Sequence, residues 1–188
     1  MEFPSKPPWR FGRAAVCLAL ISMVLPASVS GQAVDEYAVK AAFLYNFTKF
    51  VEWPDAQGEG TFNICITGDD PFGGSLDRLV QGKTANGRKI LIRRLKELGE
   101  ARQCQIVFLG REEEAKASKL VEAVRGAPVL TVGEPGKFEK MGGMIVLSMN
   151  EGRVAVRVNA AATESCGLKV SARLMSLATR DMGESGGR

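Results

Sequence analysis

Asp69 and Asp70 stand side by side between an apolar run and a proline, and paired carboxylates of this kind can perform general acid–base chemistry. Helix initiation accounts for them more simply, with Asp70 suited to an N-cap and Pro71 to the first helical position. Gly82-Lys83-Thr84 has the ending of a phosphate-binding loop, but Asp77 occupies the place of the required earlier glycine. The segment also precedes a strand instead of joining strand to helix. The chain contains no histidine, which removes Ser-His-Asp and Cys-His catalysis and the usual histidine metal sites. No CxxC occurs, so neither a thioredoxin-like pair nor a zinc knuckle is available. Nothing assembles a nucleophile, a base and an oxyanion hole. The expectation is a protein with no catalytic residues, no metal site and no cofactor.

The first thirty or so residues form a separate unit. Lys6, Arg10 and Arg13 precede the apolar run Ala14 to Leu25, and Pro26 and small residues follow through Gly31. This is the pattern of a secretory signal peptide, predicted here as residues 1–31 with cleavage between Ser28 and Ala33. The apolar run is too short to span a bilayer comfortably, and Cys17 lies inside it, not after it, which argues against a lipid-modified cysteine. Without the leader, Lys+Arg falls from 25 to 22 and Asp+Glu from 21 to 20, so a net charge of +4 becomes +2. No basic run with interleaved aromatics occurs, so nucleic acid is not an expected partner. The mature chain is expected in the periplasm.

Three cysteines follow the leader: Cys65, Cys104 and Cys166. In an oxidising compartment two of them are expected to pair, and three pairings are open. Cys65–Cys104 is favoured because both lie in short β-like runs, FNICITG and CQIVFLG, and facing residues of neighbouring strands come within disulfide range. Closing a loop of this size contributes roughly 3–4 kcal/mol in the chain-entropy account. Cys166 is then left over.

Between Tyr37 and Trp53, six of seventeen residues are aromatic, against ten in the whole chain behind the leader. No glycine interrupts this segment and Pro54 ends it, so residues 35 to 52 are read as a helix, with Lys40, Asn46, Lys49 and Glu52 as a narrow wet strip. Strands are expected at Phe62 to Thr67, Lys89 to Arg93, Cys104 to Leu109, Pro128 to Val132, Met144 to Met149 and Arg153 to Val158. Helices are expected at Phe72 to Leu79, Glu112 to Arg125 and 170 to 180, the last with Val170, Leu174 and Leu177 on one side. GEPGKFEKMGG reads as a loop. The alternation predicts a single three-layer α/β domain over 32–181, with a mainly parallel sheet, an antiparallel edge hairpin and helices on both faces. Residues 182–188 read as a flexible tail. The loops Gly68 to Gly74 and Gly133 to Lys137 lie where open α/β sheets bind ligands.

The residues also carry a resemblance. EYAVKAAFLYNFTKFVEWP, FNICITGDDPFG, GRKILIRRL, CQIVFLG, PVLTVGE, GGMIVLSMNEGRVAVRVN and GLKVSARLMSLA, in that order, resemble the successive blocks of the YfiR/HmsC-like periplasmic proteins. The resemblance runs from about Asp35 to Thr179. It implies a periplasmic repressor that binds the periplasmic sensory domain of an inner-membrane diguanylate cyclase and lowers cyclic di-GMP and exopolysaccharide output. It also implies an OmpA-like outer-membrane lipoprotein that sequesters the repressor, and Cys65 and Cys104 match the family's paired cysteines. Some relatives carry a second pair, for which this chain offers Cys166.

The candidate partner- or ligand-binding residues are Lys40, Phe43, Phe47 and Trp53 from the aromatic segment and Lys169 and Arg173 near the last helix. Trp53 combines a large apolar area with a donor, the profile of an interface anchor, and the alternative reading of it is a plug in the core. A homodimer is a further expectation. The competing function is a periplasmic small-ligand sensor or an accessory protein of a sensor kinase or transporter, its pocket built from the post-strand loops and Trp53.

Overall fold

The central strands are apolar on both sides, and that forces helices onto both faces of the sheet. The computed structural model describes residues 30–54, 60–110, 115–150 and 152–185. In chain order the elements are α1 (Ser30–Phe50), β1 (Val51–Glu52), β2 (Thr61–Thr67), α2 (Gly74–Val80), β3 (Thr84–Ala85), β4 (Arg88–Leu95) and a 3₁₀ helix (Leu98–Gln103). There follow β5 (Ile106–Leu109), α3 (Ala117–Ala123), β6 (Leu130–Gly133), α4 (Lys137–Lys140), β7 (Ile145–Asn150), β8 (Arg153–Val158), α5 (Ala160–Ser165), β9 (Lys169–Val170) and α6 (Ala172–Ser185). Most of the expected leader, the start of the helix expected from Glu112, Glu151 of the hairpin and the end of the tail lie outside the described residues.

Among the described residues the main sheet runs β3-β4-β2-β5-β6-β7-β8. β4, β2, β5, β6 and β7 are parallel, and β3 and β8 are antiparallel edges. The expected α/β fold with its late hairpin is therefore present, with a second antiparallel edge added. Asn86 (φ 50) and Gly87 (φ 75) make the tight β3–β4 turn, which needs two left-handed residues.

Alternation sorts the core into two layers. Phe62, Ile64 and Ile66 of β2 and Ile106 and Phe108 of β5 pack with α1, α2 and Leu174 of α6. Cys65, Val107 and Leu109 point the other way, toward Ala101, Leu120 and Phe138. Among the described residues no helix is long and apolar enough to cross a membrane.

Several local readings need correcting. The aromatic helix stops at Phe50, because Val51 and Glu52 leave it to pair antiparallel with Val170 and Lys169 of β9. Two-residue strands carry no periodic signal, so this small sheet is set by tertiary contact. Asp70 is no N-cap: its Oδ1 accepts the Phe72 N–H at 2.8 Å in a turn, and α2 starts only after Gly73 (φ 52). GEPGKFEKMGG contains α4, whose Phe138 is buried against two glycines. A Cβ on Gly133 or Gly143 would stand 2.6 or 2.3 Å from its ring. The helix α5 went unread, although Asn159 caps it by accepting the Ala162 N–H at 3.1 Å. Leu177, expected on the buried side of α6, is 40% exposed, and Leu174 and Ala178 take the core face instead.

Cys65 and Cys104 form the disulfide, with Cα atoms 6.1 Å apart. They are not facing strand residues, however. Opposite Cys65 in β5 stands Val107, and Cys104 ends the 3₁₀ helix, its N–H donating to Ala101. The bridge thus pins a helix end to β2. Cys166 is free and half-buried. Cys65→Ser is expected to cost about 2–4 kcal/mol and to lower Tm by more than Cys166→Ser. Thermal melts of both variants, with non-reducing peptide maps, check this.

Candidate functional site

The last turns of α1 and the first turns of α6 run together because the chain is tied there twice. β1 pairs with β9, and the Ser171 N–H donates to the Phe50 carbonyl at 2.8 Å. Between the two helices lies an open groove of about 690 Å³ lined by Phe43, Asn46, Phe47, Phe50, Arg173 and Leu177, among others. The Arg173 guanidinium sits 5.6 Å from the centre of the Phe50 ring, and Phe43 and Phe47 lie 6.2 Å apart. The result is a trough of mixed lining, in which Phe43, Phe50 and Leu177 alternate with Asn46, Arg173 and Ser176. Phe43, Phe47 and Arg173, three of the expected binding residues, meet here. Phe50, Asn46 and Leu177 belong to the same surface and were missed. Phe50 carried a signal, since it stands one and two helical turns beyond Phe47 and Phe43 on the same stripe.

The other three candidates lie elsewhere. Lys40 is 1% exposed and off the wet strip on which it was expected. Its ammonium donates to Glu36 at 2.5 Å and to Glu134, and lies 4.7 Å from the centre of the Tyr37 ring. Tyr37 donates its hydroxyl to the same Glu134 oxygen at 3.1 Å. Lys40 therefore neutralises buried carboxylate and presents no charge at the surface. Trp53 is 4% exposed, stacks edge-on against Phe62 at 5.0 Å and donates its indole N–H to the Gln105 carbonyl at 3.2 Å. Gln105 precedes β5, so Trp53 closes the amino end of the sheet, away from the loops that follow the strands. Those loops and Trp53 do not meet in one pocket. Lys169 is exposed in β9, opposite Glu52.

The adjacent Asp69 and Asp70 do not act as a pair. Asp70 is joined in space to Asp77 of α2 by Arg94, whose guanidinium donates to the two carboxylates at 2.6 and 2.5 Å and to the Gly73 carbonyl at 3.2 Å. This clamp fixes the loop after β2. Hydrogen bonding from Arg94 holds the Asp77 carboxyl below the usual carboxylate range, and Asp77 in turn raises the guanidinium's basicity. A carboxylate depressed in the folded state stabilises above its unfolded pKa and loses that contribution as pH falls through the folded value. Wild type should therefore lose stability below about pH 4 more steeply than Asp77→Asn, an effect kept small by solvent. Denaturant melts of the two proteins between about pH 5 and pH 2.5 check the difference.

Lys83 and Lys49 both place ammonium groups over the Tyr45 ring, at 4.2 and 4.5 Å. Gly82-Lys83-Thr84 thus leads from α2 into β3, with Lys83 placed over Tyr45. No group of His, Cys, Asp and Glu among the described residues is placed to hold a metal ion. The strand order reverses between β2 and β5, and near it a cavity of about 310 Å³ is lined by Thr67, Gly68, Leu95, Lys96, Leu98 and Lys119, among others.

Residues 37–179 match the YfiR/HmsC-like family. The chain belongs to the YfiR/HmsC-like family. That family is one of periplasmic regulators of diguanylate cyclase signalling. Among solved structures it is similar to a conserved domain protein of Vibrio cholerae O1 biovar El Tor str. N16961. That likeness has a TM-score of 0.50 and 12% identity, over 76% of this chain and 59% of the other. The chain thus spans about three fifths of that protein's length, and the likeness concerns the fold alone.

Proposed function

We propose that this YfiR/HmsC-like protein is a non-enzymatic periplasmic repressor. It binds the periplasmic sensory domain of an inner-membrane diguanylate cyclase and keeps the cytoplasmic domain from making cyclic di-GMP. The observation that carries the reading is the groove between α1 and α6. It lies within the family-matched region and leaves Leu177 40% exposed beside half-buried Phe43 and Phe50. Aromatic side chains beside an arginine are common in interface cores, where these residue types carry most of the binding energy. Family kinship supplies the second expected partner, an OmpA-like outer-membrane lipoprotein that sequesters the repressor. Export with removal of residues 1–31 is part of the same reading.

Deleting the gene is expected to raise cyclic di-GMP. Leu177→Asp and Arg173→Glu are expected to weaken binding to the purified sensory domain at least about tenfold, each with Tm near wild type, because both side chains are exposed. Unchanged cyclic di-GMP on deletion, with no binding by the sensory domain, would sink the repressor reading. A small-ligand sensor would then lead. The cavity beside Lys96 and Lys119 supports that second reading, since cations at the carboxyl ends of parallel strands suit an anionic ligand.

A further inference from the structure

We propose that the outer edge of β4 accepts an extended, acidic segment of a protein partner as an added strand. β4 is eight residues long, and its inner edge is paired to β2 from Lys89 to Leu95. Its outer neighbour β3 covers only Arg88 and Lys89, and the Ile90 N–H donates to the Lys83 carbonyl at 3.1 Å. That bond fixes which amides face outward. Strand alternation puts the N–H and carbonyl groups of Ile92 and Arg94 on the same outer side as Ile90. Among the described residues no strand pairs with that side beyond Lys89.

Chemistry selects the occupant. Leu91 is 37% exposed and offers an apolar contact on one face of the open edge. Lys89, Arg93 and Lys96 supply positive charge, whereas Asp70 and Asp77 are spent on Arg94. A second copy in antiparallel register would set these cations against each other, which is destabilising and is how edge strands avoid self-pairing. A strand alternating apolar and acidic residues meets both the backbone groups and the charge. This edge lies across the sheet from β8, against which α6 packs, so it stands apart from the groove and from the reading built on it.

The test titrates the folded protein with a peptide of about seven residues alternating valine and glutamate, following backbone amides by NMR. The expected result is saturable shifts and slowed exchange at Ile92 and Arg94. Affinity should fall at least about tenfold between roughly 50 and 500 mM salt, and a valine–lysine peptide should give no response. Leu91→Glu should weaken binding about tenfold or more. Ile92→Pro, which removes an outward donor and spares the bonds to β2, should do the same. Shifts that are absent or centred elsewhere, or equal binding of the valine–lysine peptide, would overturn the proposal. Concentration-dependent dimerisation that protects the same amides without peptide would assign the edge to a second copy and overturn it equally.

Discussion

Trp53→Ala is expected to destabilise the protein by about 3–5 kcal/mol, the range for removing a large buried aromatic. Three losses coincide. The ring leaves a void against Phe62, itself wholly buried, and the edge-on contact at 5.0 Å disappears. The Gln105 carbonyl, which accepts the indole N–H at 3.2 Å, loses that donor beside the start of β5. Trp53→Phe keeps much of the area and loses only the donor, so it should cost well under half as much. Urea midpoints at constant slope measure both. In cells, Trp53→Ala should therefore act through lowered abundance, whereas Leu177→Asp should leave abundance intact and act through binding. If Trp53→Ala melts like wild type, the indole is no core element, and its place as an interface anchor is restored.

The second large effect is expected at Lys40. Replacing it with methionine removes the ammonium that joins buried Glu134 to Glu36 and leaves Glu134 the Tyr37 hydroxyl. Removing one partner of a buried ion pair costs about 3–5 kcal/mol, because the remaining charge loses its counter-ion. Lys40→Met combined with Glu134→Leu should recover much of that loss, since it removes the buried charge on both sides of the pair. A double-mutant cycle on urea stability reads the coupling. Additive costs would mean that the two side chains do not act as a pair.

The sequence carried the architecture because the architecture is local. FNICITG and CQIVFLG are apolar at successive positions, which only a strand covered on both faces requires, and Asn86-Gly87 and the late hairpin are turns with their own chemistry. Even the disulfide followed from this logic, although its geometry differs. What was illegible depends on residues far apart. Lys40 reads as wet surface until Glu134 is brought to it from beyond β6. Val51 and Glu52 read as helix until Val170 and Lys169 arrive to pair with them. Leu177 reads as core because helical periodicity gives a stripe but not its centre, and the contact with β8 sets the centre on Leu174 and Ala178. The groove was half legible for the same reason: Phe43, Phe47 and Arg173 could be foreseen, and the outward turn of Leu177 could not.

The pairing of β1 with β9 bears on how the chain is made. A polypeptide emerges N-terminus first, whether from a ribosome or across a membrane, so the aromatic helix appears before anything that covers it. Its last turn is held by Ser171, and the chain just beyond it by Val170, both far along the sequence. Contacts of such long separation close late, after the loop entropy between them has been overcome. The Phe50 end of the helix must therefore wait for β9, whereas Tyr37 and Trp53 meet Phe72 and Phe62 much earlier. A chain stopped before β9 would leave that end of the helix open for good.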